Sequence, residues 1–189
     1  MKERLKTFTA TMATLTDEEF EAYALLFRPM QVKRMNHIFT EGHLVKHIYY
    51  LDHGVMRSYY MNEGREITSG FHFAPFIMTD IFSLREKVPT AMNLQALRDT
   101  ECYEISIDEL EALIVRYPNL LNVFFKLYEI LLLRSKKRQL SLIYDQPRER
   151  YLKLFKERPE IIAEIPQHYI ASYLGIQPET LSRIKRKIF

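Results

Sequence analysis

Residues 167–184, QHYIASYLGIQPETLSRI, have the spacing of two short helices joined by a tight turn. Ala171 lies four residues before Gly175. A small side chain is needed where two helices cross, and a glycine where the turn requires a positive φ. Ile170, Leu174, Ile176, Leu181 and Ile184 recur so that both helices face one small core. Pro178 stands where the first turn of a second helix tolerates a missing N–H. Glu179, Ser182, Arg183 and Arg186 then fall on the opposite face, and the chain runs on as Lys185-Arg186-Lys187. An amphipathic hairpin buried in a larger domain would explain the apolar spacing. It would not explain a stripe of Ser and Arg at helical intervals. The pattern points to a helix that reads double-stranded DNA.

Charge is distributed in the same sense. Of 189 residues, 27 are Lys or Arg and 24 Asp or Glu, for a net charge of +3. Residues 148–189 hold nine of the cations against five Glu, so the rest of the chain is close to neutral. Phosphate binding needs that local excess. With 47% hydrophobic and 27% charged residues, the composition suits a chain with a packed core. The single cysteine, Cys102, excludes an intrachain disulfide framework and a cluster held by four thiolates of one chain. The first twenty residues lack an uninterrupted apolar segment, and no run approaches membrane-spanning length. A cytoplasmic chain without a membrane partner is expected.

Working back from the hairpin, Leu15-Thr16-Asp17-Glu18-Glu19-Phe20 opens a helix. Thr16 and Glu19 form a capping-box pair, and Pro29 is expected to end the helix. From Met30 to about Ile107 the pattern becomes short β-branched and aromatic runs. QVKRM, HIF, HIYYL, GVMRSYYM, EITSGFHF, NLQAL and ECYEIS read as strands. Glu41-Gly42, Asp52-His53-Gly54 and Asn62-Glu63-Gly64 read as turns. GVMRSYYM and REITSGFHF alternate as strands with one buried face, and strands this short suggest a roll or jelly-roll. Ser106-Ile107-Asp108 begins a helical region broken at Tyr117-Pro118. Asn119–Ile143 is then one long helix, apolar nearly all round, as expected of a helix lying on the roll and against a second subunit. Its end is basic (Arg134, Lys136, Lys137, Arg138), which suits the helix dipole or proximity to DNA. Asp145-Gln146-Pro147 marks a hinge, and a basic helix follows from Pro147 to Arg158, ended by Pro159.

The order of parts resembles the Crp–Fnr family of bacterial transcription regulators. The resemblance is carried by PQHYIASYLGIQPETLSRIKRK and by the spacing of Phe39-Thr40-Glu41-Gly42 and Tyr50-Leu51-Asp52-His53-Gly54. It implies an α+β chain with an antiparallel β-roll like a cyclic-nucleotide-binding jelly roll, a long dimerisation helix and a C-terminal helix-turn-helix. The expected boundaries are 1–117, 118–144 and 145–189. The implied partners are DNA and a second copy of the chain, with RNA polymerase and a small-molecule effector in the roll as further partners the family allows. Glu179, Ser182 and Arg183 match the family's recognition-helix pattern. Glu179 would accept from a cytosine amino group, Arg183 would donate to guanine or phosphate, and Ser182 would meet a base or sugar edge. Gln177, Thr180, Arg186 and Lys187 complete the expected DNA face. Phe124, Leu127, Tyr128 and Leu131 are the expected dimerisation residues.

The sequence departs from the family in two places. Nucleotide-binding members carry a Gly-Glu pair and, about ten residues on, Arg-Ser or Arg-Thr. Aligned back from Glu104-Ile105-Ser106, this chain has Thr79-Asp80 and Thr90-Ala91. Asp80 could take a hydroxyl, but Thr90 cannot neutralise a phosphate, so no cyclic AMP and no cofactor are expected. The usual β-wing after the recognition helix is also not expected, since the sequence stops at Phe189.

Other chemistry has weaker support. His37, His43, His47, His53 and His72 are scattered through the β region without the His-x-His and downstream Glu of a metal-dependent β-roll enzyme. No phosphate loop, Ser-His-Asp order or paired-carboxylate motif stands out, so neither metal nor catalysis is expected. The alternative is a ligand-sensing roll whose helical tail docks a protein instead of DNA.

Overall fold

The computed structural model describes residues 1–188; Phe189, the last residue of the expected DNA-binding segment, lies outside the described residues. Two helices, α1 (Lys2–Ala10) and α2 (Asp17–Ala24), precede eight strands: β1 (Arg28–Val32), β2 (His37–Phe39), β3 (His47–His53), β4 (Val55–Asn62), β5 (Arg65–Phe73), β6 (Phe76–Met78), β7 (Met92–Ala96) and β8 (Thr100–Ser106). A short helix, α3 (Ile81–Glu86), lies between β6 and β7. Helices α4 (Ile107–Arg116), α5 (Leu120–Tyr144), α6 (Pro147–Glu157), α7 (Pro159–Glu164), α8 (Gln167–Leu174) and α9 (Pro178–Arg186) follow.

The strands form two four-stranded antiparallel sheets, β1-β8-β3-β6 and β2-β7-β4-β5. This is the expected roll, closed around Tyr50, Leu51, Met56, Leu94 and Ile105. The β3–β4 turn is tighter than the sequence suggests, because Asp52 and His53 still belong to β3. Gly54 alone makes the reversal at φ +108°, where an added Cβ would lie 2.4 Å from Thr100 Oγ1. Cys102 is buried on β8, and burial followed by the nearby Glu104 pushes its thiol up to about 12.

Several boundaries differ from expectation for physical reasons. The Thr16–Glu19 capping box forms, a cap of ~1 kcal/mol. However, α2 stops at Ala24, and Pro29 lies inside β1. Since β1 is the outer strand of its sheet, a residue without an N–H is tolerated there. Pro159 ends α6 but also opens α7 as its first residue. Strand β4 was expected to bury one face, yet Val55 to Tyr59 are all buried. Met56 faces the roll interior, while Val55 joins a second core.

That second core explains the difference. Tyr151, Leu154, Ile161, Ile165, Ile170, Ala171, Leu174, Leu181 and Ile184 pack together, and Val55 and Phe71 of the roll pack with them. The last four helices are thus seated on the outer face of the β4–β5 ribbon. Helix α5 packs Leu120, Val123, Phe124 and Leu127 into the roll core. Its other side leaves Leu121, Phe125, Leu132 and Leu133 exposed, with Phe125 72% accessible.

Candidate nucleic-acid interface and sensor positions

The helix-turn-helix forms as its spacing requires. Gly175 adopts φ +67° at the end of α8. Its N–H donates to the Ser172 carbonyl and that of Ile176 to the Ala171 carbonyl, both at 3.0 Å. This pair of bonds satisfies the last carbonyls of α8 and needs a left-handed residue between them. Ala171 is fully buried where α8 and α9 cross. Leu181 and Ile184 hold α9 from behind.

The opposite face of α9 is open. Gln177, Glu179, Ser182, Arg183, Arg186 and Lys187 are exposed, and Thr180 is half-buried. Arg183 Nη2 donates to Thr180 Oγ1 at 3.1 Å, which ties the two side chains together on that face. Glu179 in the first turn, with Arg183, Lys185 and Arg186 in the last, also complements the helix dipole. The structure therefore brings all seven expected DNA-face residues onto one helix and the two residues that flank it, Gln177 and Lys187.

Not every nearby cation is available for phosphate. Arg150 Nε donates to the Leu174 carbonyl at 2.8 Å and its Nη1 to the Asp145 carbonyl at 2.7 Å, joining the hinge to the end of α8. Lys153 pairs with the Asp145 carboxylate at 2.7 Å, and this pairing is the main cause of that carboxyl's depressed pKa. Arg138 of α5 donates to the carbonyls of Tyr173 and Thr68 at 2.7 and 3.1 Å. Dipole compensation or DNA proximity was expected for it; the structure gives it a tie between three elements.

The sensor positions also meet. Asp80 caps α3 by accepting from the Phe82 N–H at 3.1 Å. Buried Thr90 donates from Oγ1 to Asp80 Oδ2 at 2.5 Å. The backbone around Thr90 is fully bonded, its N–H to His43 and its carbonyl to Gly42, each at 2.8 Å. Among the described residues no guanidinium or ammonium group bonds to either side chain.

Beside α5 lies a separate, mostly apolar cavity of about 690 Å3, lined by Ile48, His72, Phe76, Met78, Phe124 and Tyr128 among others. His72 Nε2 lies 3.1 Å from Ser58 Oγ. Burial, with Arg158 and Arg134 nearby, lowers its pKa to about 4. The expected dimerisation residues divide: Phe124 and Leu127 are taken up by the chain's own core, while Tyr128 and Leu131 are half-covered. Of the other histidines, His53 stands with Asp52 and Glu101 in a group close enough to hold an ion. Yet buried Asp52 already faces the Met1 ammonium at 3.3 Å and Arg4 at 3.4 Å, which leaves its charge compensated.

Comparison with known proteins agrees with this architecture. Residues 29–117 match the family model described as the cyclic nucleotide-binding domain, which covers the roll and α4. No curated protein sequence matches the chain. Among solved structures, the chain is similar to the c-di-GMP-responsive global regulator CLP of Xanthomonas campestris at a TM-score of 0.73 and 17% identity, over 92% of this chain and 91% of that one. FixK2 of Bradyrhizobium japonicum gives a TM-score of 0.72 at 19% identity, over 86% and 84%. The catabolite activator protein of Thermus thermophilus gives 0.58 at 22%, over 92% and 84%. The chain thus has a cyclic-nucleotide-binding-type roll followed by a long helix and further helices, the fold of these solved structures. Among the described residues, no helix is long and apolar enough to cross a membrane.

Proposed function

We propose that this chain is a sequence-specific DNA-binding transcription regulator that works in the cytoplasm as a homodimer. The observation that carries the reading is α9: its apolar residues are buried, and Glu179, Ser182, Arg183, Arg186 and Lys187 are all exposed together. In the major groove, Glu179, Ser182 and Arg183 reach base edges, and Arg186 and Lys187 meet the backbone. The exposed Leu121, Phe125, Leu132 and Leu133 of α5 supply the apolar face on which a second copy packs.

The roll acts as a sensor-type domain whose effector is not a cyclic nucleotide. Asp80 and Thr90 satisfy each other, and neither brings the cation a cyclic phosphate needs. The domains divide at about 117 and 144, with α5 between roll and helix-turn-helix. Duplex binding titrated against salt tests the reading. A linear fall of log K with log salt, together with enrichment of a palindrome from random duplexes, is expected. Salt-insensitive binding, or no enrichment, would leave a protein-docking tail as the better account.

A further inference from the structure

The helix-turn-helix is linked to α5 through the short Asp145-Gln146 connection, but the roll holds it in place as well. Ser172 of α8 accepts from the Thr68 N–H at 2.9 Å and donates to the Glu66 carbonyl at 2.9 Å, so it is bonded directly along β5. The Arg138 guanidinium forks from α5 to a carbonyl of α8 and one of β5, and lies 3.8 Å from the Tyr173 ring centroid. Arg57, fully buried on β4, is sandwiched between Tyr59 of its own strand at 4.1 Å and Tyr169 of α8 at 3.8 Å. Its Nη2 donates to Gln95 at 2.9 Å and to Glu66 at 2.6 Å. A charge that deep is kept only by such partners. One face of α8 therefore packs on α9, and the other is clamped to roll and α5 together.

These contacts have a consequence for DNA. A two-fold dimer reads two half-sites whose separation must equal the separation of its recognition helices. On the homodimer reading above, the two-fold contact lies on the exposed apolar face of α5, and the clamp fixes α9 relative to α5. We propose that Arg138, Tyr169 and Arg57 are positioning residues that set which half-site spacing the protein accepts, although none of them touches DNA. The proposal rests on the DNA-binding reading above. With the clamp opened, the module turns about Asp145-Gln146, and the same recognition helix meets half-sites over a range of spacings.

The experiment uses full-length protein and a pool of duplexes with one fixed palindromic half-site and central spacers varied over about one helical turn, ~10 base pairs. The native protein is expected to enrich one spacer. Arg138→Ala and Tyr169→Ala should each lower its preference over neighbouring spacers about tenfold, while affinity for a duplex with a single half-site changes less than about twofold. Arg138→Lys keeps the charge but not the fork, and should behave like Arg138→Ala. Tyr169→Leu, which keeps an apolar side chain over Arg57 but removes the aromatic ring, carries the test should the alanine variants fold poorly. A spacer profile unchanged in the folded variants would overturn the proposal, as would full recovery by Arg138→Lys, which would make bulk charge the cause. Failure of the native protein to bind even a single half-site would instead refute the DNA-binding reading.

Discussion

Thr90 donates its hydroxyl to the Asp80 carboxylate at 2.5 Å, so two positions ten residues apart, one on each side of α3, satisfy each other. On the reading proposed above, this arrangement closes the place where a cyclic nucleotide would put its ribose and phosphate. A cyclic nucleotide would have to break this bond and bury a phosphate charge without a compensating cation. Calorimetry with cyclic AMP and cyclic GMP should show no binding tighter than about 1 mM, about −4 kcal/mol. Micromolar affinity would contradict the assignment of these positions.

The free face of α5 predicts the assembly state. Phe125→Glu and Leu132→Glu place charges where a second copy would pack, without touching the chain's own core. Sedimentation should show the native chain as a dimer at micromolar concentration and both variants as monomers or aggregates. A native chain that stays monomeric would exclude the two-fold reading.

Readout by α9 separates into two kinds of contact. Arg183→Ala should cost ~1–3 kcal/mol of specific binding and relax preference at one base position. Lys187→Ala should weaken all duplexes alike and reduce the salt slope by about one unit. Binding isotherms of both variants at several salt concentrations make the distinction. Sequence preference untouched by Arg183→Ala would mean that this face does not read bases.

Stability should depend on pH through His72. Its folded pKa of about 4 lies below the ordinary 6.5, chiefly because of burial. The unfolded chain therefore binds the proton first as pH falls, and folding loses up to ~3 kcal/mol between about pH 6.5 and pH 4. Above pH 6.5 the contribution is complete and flat. Urea unfolding of the native protein and of His72→Asn across this range should show a difference that shrinks towards pH 4. A pH-independent difference would count against a neutral buried imidazole.

Local signals were the legible ones. Ala171, Gly175 and Pro178 located the two helices because crossing, turn and helix start each need a particular residue within a few positions. The Thr16–Glu19 cap and the long helix from Asn119 were read for the same reason. Strand β6 and helix α3 went unread: three residues of β6 pair with Tyr49, Tyr50 and Leu51, far away in sequence, and leave no period of their own. Pro29 was misread as a helix stop because nothing local marks an outer strand. Arg57 reads in sequence as a solvent-facing charge, yet Tyr169 of α8, more than a hundred residues away, stacks over it. Arg138 was ambiguous for the same reason, since its partners are backbone carbonyls at Thr68 and Tyr173 that no side-chain pattern announces.

The burial of Cys102 makes the surface of the chain chemically silent towards thiol reagents. A sulfhydryl held at about 12 and sealed on β8 is protonated at neutral pH and out of reach of oxidants and maleimides. A cysteine substituted for exposed Gln177 would then be the sole reactive thiol in each protomer. A dye or a disulfide-linked oligonucleotide attached there would report from the entrance of α9 without background labelling from the rest of the molecule.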